Sequence, residues 1–257
     1  MALFAFLKRR REDYLDAHFD MTDWTVNHFS GTNYSLWQVV QSVAPGHCIG
    51  RVLDAGAGRG AWRNAILRSA TTYESVDLSA RGAHRPTWEA DICEMPVVPD
   101  ARYDSVVCHQ VLEHVRKPRA ALAEMQRALM PGGYLILSVP HLSRRHELPH
   151  DYFRYTQEGV RVLLEELDFE IVLLKPYGGL LTFLHHQTSL FLPGLIAGIP
   201  LIGRLGALLN APLSRLAASL DVLLDRPGLF ANGVVAVARK KDARARTAAT
   251  RHPAGNG

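Results

Sequence analysis

The stretch VLDAGAGRG (Val52–Gly60) constrains the fold of this chain more than any other segment. It sets a short apolar run directly before three glycines, Gly56, Gly58 and Gly60, and a helical run, AWRNAILRSA (Ala61–Ala70), directly after them. A chain leaving a buried strand for a helix must turn sharply there, and glycines let its backbone approach a ligand with no side chain between. The spacing is GxGxG. A dinucleotide fingerprint asks for GxGxxG, and its last position, Ala61 here, tolerates alanine, so spacing alone leaves a dinucleotide open. Asp54, two residues before Gly56, tips the choice, because a carboxylate there suits a cationic sulfonium amino acid better than a pyrophosphate. Asp77 follows Gly58 by 19 residues, at the end of the second predicted strand, where a carboxylate can accept both hydroxyls of a ribose. The plainer alternative is that both acids merely cap strand ends or helix starts.

From Arg51 onward short β-rich runs alternate with helical ones, the mark of an α/β fold with a mostly parallel sheet and helices on both faces. RVLDA (Arg51–Ala55), YESVDLS (Tyr73–Ser79), WEADI (Trp88–Ile92), YDSVVCHQ (Tyr103–Gln110) and YLILSVP (Tyr134–Pro140) are predicted as strands. Pro118–Met130 is predicted as an amphipathic helix with Leu122, Met125 and Leu129 inward, stopped by PGG (Pro131–Gly133). TQEGVRVLLEELD is predicted as a helix capped by Thr156, followed by the strand FEIVLLKPY (Phe169–Tyr177) and a last strand from Asn232.

Between Arg51 and Tyr177 the chain resembles the type 11 family of class I S-adenosylmethionine-dependent methyltransferases. VLDAGAGRG looks like its first motif, YESVDLS its second, EADICEMP its adenine-flanking segment and YDSVVCHQVLEHV its fourth-strand motif. VLEHV and LMPGG together are more specific than the glycine loop. The resemblance implies a Rossmann-like methyltransferase fold with a seven-stranded, mostly parallel sheet and S-adenosyl-L-methionine as cofactor. It also implies cofactor contacts from Asp54, Ala55, Gly56, Ala57, Gly58, Asp77, Leu78, Asp91, Ile92 and His109. His109 departs from the small or polar residue expected there. Glu113 and His114 of VLEHV are expected to fasten the helix that follows. A non-catalytic cofactor-binding or interaction protein of the same fold is the alternative, and an NAD-dependent oxidoreductase is disfavoured by VLEHV and LMPGG.

The segment HLSRRHELPHDYFRYT (His141–Thr156) follows the fifth strand, at the carboxyl edge where ligands of such folds bind. It resembles the HxxPHDYFRYT stretch of a bacterial subgroup of the family. His146, His150, Asp151, Tyr152 and Tyr155 are the candidates for an acceptor pocket, with His150 the preferred base, His146 the second, and Arg154 an anion contact. An oxygen nucleophile gains from such a base near neutral pH. The expected reaction is O-methylation of a small-molecule or lipid- or glycan-linked acceptor. The competing view has Tyr152, Phe153 and Tyr155 filling core while the histidines bond backbone. No metal is expected, since His141, His146 and His150 lack cysteine partners and close ligand spacing.

The net charge of +4 comes from the end of the chain, where residues 239–257 hold six Lys or Arg against one Asp. A basic tail without a cationic face gives little support for nucleic-acid binding. Cys48, Cys93 and Cys108 contain no CxxC pair, which fits a reducing, cytoplasmic setting. MALFAFLKRRRED places apolar residues before basic ones, the reverse of a secretory leader. LFLPGLIAGIPLI (Leu190–Ile202) is apolar over 13 residues, short for a membrane span and interrupted by Pro193 and Pro200. Arg204–Asp225 carries apolar residues at helical spacing. A membrane surface met through residues 190–224, at the inner face, is therefore one expectation, and a lid or oligomer interface the other. The expected organisation is a helical lead-in (1–48), a cofactor-binding core (49–177), an apolar helical insertion (178–228), a final core strand (229–240) and a disordered basic tail (241–257).

Overall fold

The computed structural model describes Phe6 and residues 30–82, 84–196, 200–225 and 228–242. The opening MALFAFLKRRRED apart from Phe6, the expected disordered tail beyond residue 242 and the side chains of LFLPGLIAGIPLI lie outside the described residues.

The elements run α1 (Gly31–His47), β1 (Gly50–Ala55), α2 (Arg63–Ile66), β2 (Ala70–Asp77), β3 (Trp88–Glu89), β4 (Tyr103–His109), α3 (Pro118–Ala128), β5 (Leu129–Pro140), α4 (Gln157–Glu165), β6 (Phe169–Tyr177), α5 (Leu180–Ile196), α6 (Pro200–Leu224) and β7 (Gly233–Lys240). The strands form one seven-stranded sheet in the order β3-β2-β1-β4-β5-β7-β6, the α/β methyltransferase fold. β2 with β3, β1 with β2, β1 with β4, and β4 with β5 pair in parallel. Strand order reverses at β1, whose neighbours are β2 and β4, so a crevice opens at its carboxyl end. β1 and β4 read as continuous apolar runs because both faces are covered: Val52, Leu53, Val106, Val107 and Cys108 have no exposed surface.

Three boundaries depart from the sequence pattern. α2 spans Arg63–Ile66 only, because Ala70 already pairs with Gly50 in the sheet, and pairing overrides a weak local helix preference. WEADI contributes two strand residues, Trp88 and Glu89, after which Ala90 N–H binds the carbonyl of Asp77. PGG is no stop. β5 begins at Leu129, and the register between Tyr103↔Leu129 and Ser105↔Tyr134 shifts around Gly132 and Gly133. A Cβ on Gly133 would lie 2.9 Å from the Asp104 carbonyl, so the two backbones approach as only glycine allows. α3 ends correspondingly at Ala128, with Ala121, Leu122, Met125 and Ala128 buried, while Leu129 faces the core from the strand. Thr156 caps α4 as its sequence implies, its hydroxyl accepting Gly159 N–H at 3.0 Å.

The chain forms two compact units. One contains Val43–Val139, Glu147–Leu174 and the chain from Ala236, and holds the glycine loop. The other contains the chain to Ser42, Pro140–His146 and Lys175–Val235. Within this second unit α5 and α6 pack together, and the buried Asp221 of α6 accepts the Leu181 and Thr182 N–H groups at 2.9 and 2.8 Å. Those groups open α5 and have no partner inside their own helix, so Asp221 closes that end as a cap from a neighbouring helix. His185 and His186 hold the start of α1, through Gly31 N–H at 3.1 Å and the Ser30 hydroxyl at 2.6 Å.

Candidate functional site

Each of the parallel strands β1, β2 and β4, and the turn after β3, delivers one of the expected cofactor residues to the carboxyl edge of the sheet. Beyond Ala55 the backbone turns, and Gly56 N–H binds the Val76 carbonyl at 2.8 Å. Gly56 has φ +78°, and a Cβ there would stand 2.6 Å from the Val111 side chain. Gly58, φ +57°, faces open space with no atom within 4 Å of its would-be Cβ. Ala55 and Ala57 are buried. The loop thus combines a crowded side at Gly56 with an open side at Gly58.

Asp77, at the end of β2, ties to that loop. Its Oδ2 accepts Gly58 N–H at 2.7 Å and its Oδ1 accepts Leu78 N–H at 2.8 Å. A carboxylate offers about four lone-pair sites, so each oxygen retains one for a vicinal diol. Leu78 beside it is 64% exposed, an apolar side chain left in water at the rim. Asp91 is exposed and accepts Cys93 N–H at 2.8 Å, whereas Ile92 is buried.

Asp54 is buried, and its Oδ2 accepts the Tyr73 hydroxyl at 2.8 Å. Burial, with the Tyr73 hydrogen bond opposing it and Asp77 adding repulsion, pushes its pKa up to about 7. Tyr73 was not among the residues expected at the site. Its signal was the period-2 alternation of β2, which sets Tyr73, Ser75 and Asp77 on one face. His109 ends β4 with its ring against Trp62, centroids 4.7 Å apart, and Nδ1 3.0 Å from the Ser138 hydroxyl. Burial lowers its pKa to about 3, so the imidazole is neutral at physiological pH. Trp62 and Ser138 were also missed, since both contacts join segments distant in sequence.

The VLEHV turn and the HDYFRY segment meet. The Glu113 carbonyl accepts Tyr152 N–H at 2.8 Å and Phe153 N–H at 3.3 Å, the His114 ring binds the His150 carbonyl at 2.7 Å, and the Tyr155 hydroxyl donates to the Leu112 carbonyl at 3.1 Å. Glu113 and His114 therefore seat the segment carrying the candidate base, where the sequence had them fastening the next helix. Burial raises the Glu113 carboxyl to about 8, which keeps it protonated at neutral pH. His150 is exposed, its Nδ1 2.9 Å from the Tyr152 hydroxyl, and that hydroxyl accepts from Arg116 Nε at 2.9 Å. With the proton on Nδ1 donated to Tyr152, Nε2 is left as an acceptor. Arg154 forks onto Asp151 at 2.6 and 2.9 Å, so that guanidinium faces an internal carboxylate. Tyr155 is buried as a core aromatic. His146 lies in the other compact unit, its Nδ1 3.2 Å from the Arg144 carbonyl.

Comparison with known proteins supports the same assignment. Residues 49–174 match a family model described as a methyltransferase domain. A probable S-adenosylmethionine-dependent methyltransferase of Mycolicibacterium smegmatis is 31% identical over 150 residues, 52% of this chain and 58% of that protein. A ubiquinone biosynthesis O-methyltransferase of Alkalilimnicola ehrlichii is 28% identical over 100 residues, 34% of this chain and 40% of the relative. The chain thus spans about half the length of the curated relatives it matches. Among solved structures, the 1,6-didemethyltoxoflavin-N1-methyltransferase of Burkholderia thailandensis, with its substrate and S-adenosylhomocysteine bound, superposes with a TM-score of 0.52. It is 18% identical, covering 93% of this chain and 88% of that one, a likeness of fold. Residues 49–174 are thus a methyltransferase domain, in line with the resemblance to the class I S-adenosylmethionine-dependent methyltransferases.

Proposed function

We propose that the protein transfers the methyl group of S-adenosylmethionine to an oxygen of a small-molecule or lipid- or glycan-linked acceptor. The observation that carries this reading is the convergence of the glycine loop, Asp77 and His109 on the carboxyl edge of adjacent parallel strands, with Asp77 bound to the loop itself. When bound, the cofactor supplies an electrophilic methyl on a sulfonium, and the leaving group is a neutral sulfide. Asp77 would hold the ribose diol through its remaining lone pairs, Leu78 and Ile92 would flank the adenine, and Asp91 would lie at its edge. Asp54 would set a negative charge beside the sulfonium amino acid. The open face of Gly58 would let the backbone approach it. The chain's share of the catalysis is then mostly alignment and exclusion of water.

For the acceptor, His150 would take the hydroxyl proton at Nε2 as the oxygen–carbon bond forms, while Tyr152 holds the ring by Nδ1. The likeness to a ubiquinone biosynthesis O-methyltransferase supports an oxygen nucleophile. A cofactor-binding protein without transfer is the second reading, favoured by one observation: Arg154 and Tyr155, two of the expected acceptor contacts, are engaged within the protein.

Calorimetric titration with S-adenosylmethionine and S-adenosylhomocysteine tests the first step, with Asp77→Ala as control. Micromolar binding, lost by at least tenfold in the variant as expected for hydrogen bonds to a charged group, supports the reading. Absence of binding by the wild type removes it. Binding with no label passed from methyl-labelled cofactor to quinol, phenol or glycan acceptors supports the second reading.

A further inference from the structure

α6 is built inside out. Among the described residues, those it buries are small or polar: Ser214, Ala218 and Asp221. Those it exposes include Leu209, Leu213, Leu216, Leu220 and Leu223, between 38 and 65% accessible, at steps of four and three that align them along one face. A helix on a water-soluble protein ordinarily does the reverse, turning its apolar stripe to the core and its polar residues outward. Small residues between packed helices with leucines outside is the arrangement of helices whose surroundings are themselves apolar.

The polar groups at this end of the helix are arranged to match. Asp221 is covered by the N–H groups of Leu181 and Thr182, and the Asp225 carboxylate accepts the N–H groups of Leu229 and Phe230 at 2.9 and 2.8 Å. Leu229 and Phe230 are themselves exposed, so apolar side chains reach outward from backbone whose donors are satisfied internally, the condition for lying against hydrocarbon. From residue 176 to residue 220 the sequence contains no Asp or Glu, while it contains Arg204 and Arg215. Arg215 is exposed at the flank of the leucine stripe. An apolar face flanked by a cation, with the Asp225 carboxylate occupied by backbone N–H groups, complements an anionic lipid headgroup layer. Among the described residues no helix is long and apolar enough to cross a membrane, so the face would lie on a bilayer and not span it.

We infer that the leucine face of α6, with Arg215 at its flank, docks this protein on the surface of an anionic phospholipid bilayer. The inference is independent of the reaction proposed above. It is tested by flotation of the full chain with vesicles of phosphatidylcholine alone and of phosphatidylcholine with phosphatidylglycerol. The wild type floats with the anionic vesicles. The Leu213→Glu/Leu216→Glu variant stays in the soluble fraction, and Arg215→Gln weakens binding about fivefold, the effect of one basic residue at such a surface. Both variants change outward-facing side chains, so they retain the wild-type melting temperature and cofactor binding, which separates this result from any failure of the methyltransferase assignment. Wild-type protein that ignores anionic vesicles overturns the inference. So does equal binding to neutral vesicles, which removes the charge complementarity. So does a dimer in light scattering that becomes monomeric in the Leu213→Glu/Leu216→Glu variant, which makes the face a contact between two copies of this chain.

Discussion

The buried carboxyl of Asp54 makes cofactor affinity depend on pH in a direction the structure specifies. Burial raises its pKa from 3.8 to about 7, so in the ligand-free fold it holds its proton across most of the acidic range. A folded-state pKa above the unfolded one means the contribution to stability is fully present below pH 3.8 and is lost as pH rises to about 7. A sulfonium beside Asp54 reverses the preference, because the cation is best matched by the ionised form. With a pKa near 7, about one molecule in eleven is ionised at pH 6 and about ten in eleven at pH 8, so apparent affinity should rise about tenfold across that interval. Titration calorimetry of wild type and Asp54→Asn at both pH values isolates the effect, since titration of the ligand's own groups is common to the two proteins. Tyr73→Phe removes the hydrogen bond that favours the carboxylate and should move the rise to higher pH. Identical pH profiles for wild type and Asp54→Asn would refute the assignment of Asp54 as the counter-charge.

Other substitutions separate the roles within the site. Gly56→Ala combines a left-handed backbone with a Cβ 2.6 Å from Val111, so it should cost about 2–4 kcal/mol of stability and depress the melting temperature by roughly 5–15 °C. Gly58→Ala meets no protein atom and should cost only about 1–2 kcal/mol, yet reduce cofactor affinity more than it reduces stability; equal effects on both properties would count against an open ligand face at Gly58. His150→Gln should lower kcat by about 10²–10⁴-fold with the cofactor Kd unchanged, and an unaltered kcat would exclude His150 as the base. Tyr152→Phe should lower kcat about fivefold with the cofactor Kd unchanged, because it removes the hydroxyl held against Nδ1, and an unaltered kcat would show that His150 is oriented by other groups.

Much of the cofactor edge was legible because its signals are local. The glycine spacing that turns the chain from β1 to α2 is contained in one loop, and Asp77 ends the next β-rich run. The acceptor side was less legible. Tyr152, Arg154 and Tyr155 share a motif, yet they have three different surroundings: one hydroxyl against His150, one guanidinium on Asp151 and one ring in the core. Nothing in spacing separates them, because exposure is a property of what packs against a residue.

By itself the sequence determined the alternation of strands and helices, the glycine loop between β1 and α2, the placement of Asp54 and Asp77 around it, and the Thr156 cap, since each follows from residues within a few positions of one another. Tertiary structure decided what depends on distant neighbours. It shortened α2 because Ala70 pairs with Gly50, and it carried β5 through Gly132 and Gly133 because the backbone of Asp104 lies against them. It set Tyr73 on Asp54 and Trp62 on His109, seated His150 on the VLEHV turn, and turned the leucines of α6 outward. Periodicity reveals that a helix has two faces, and only packing reveals which of them is left uncovered.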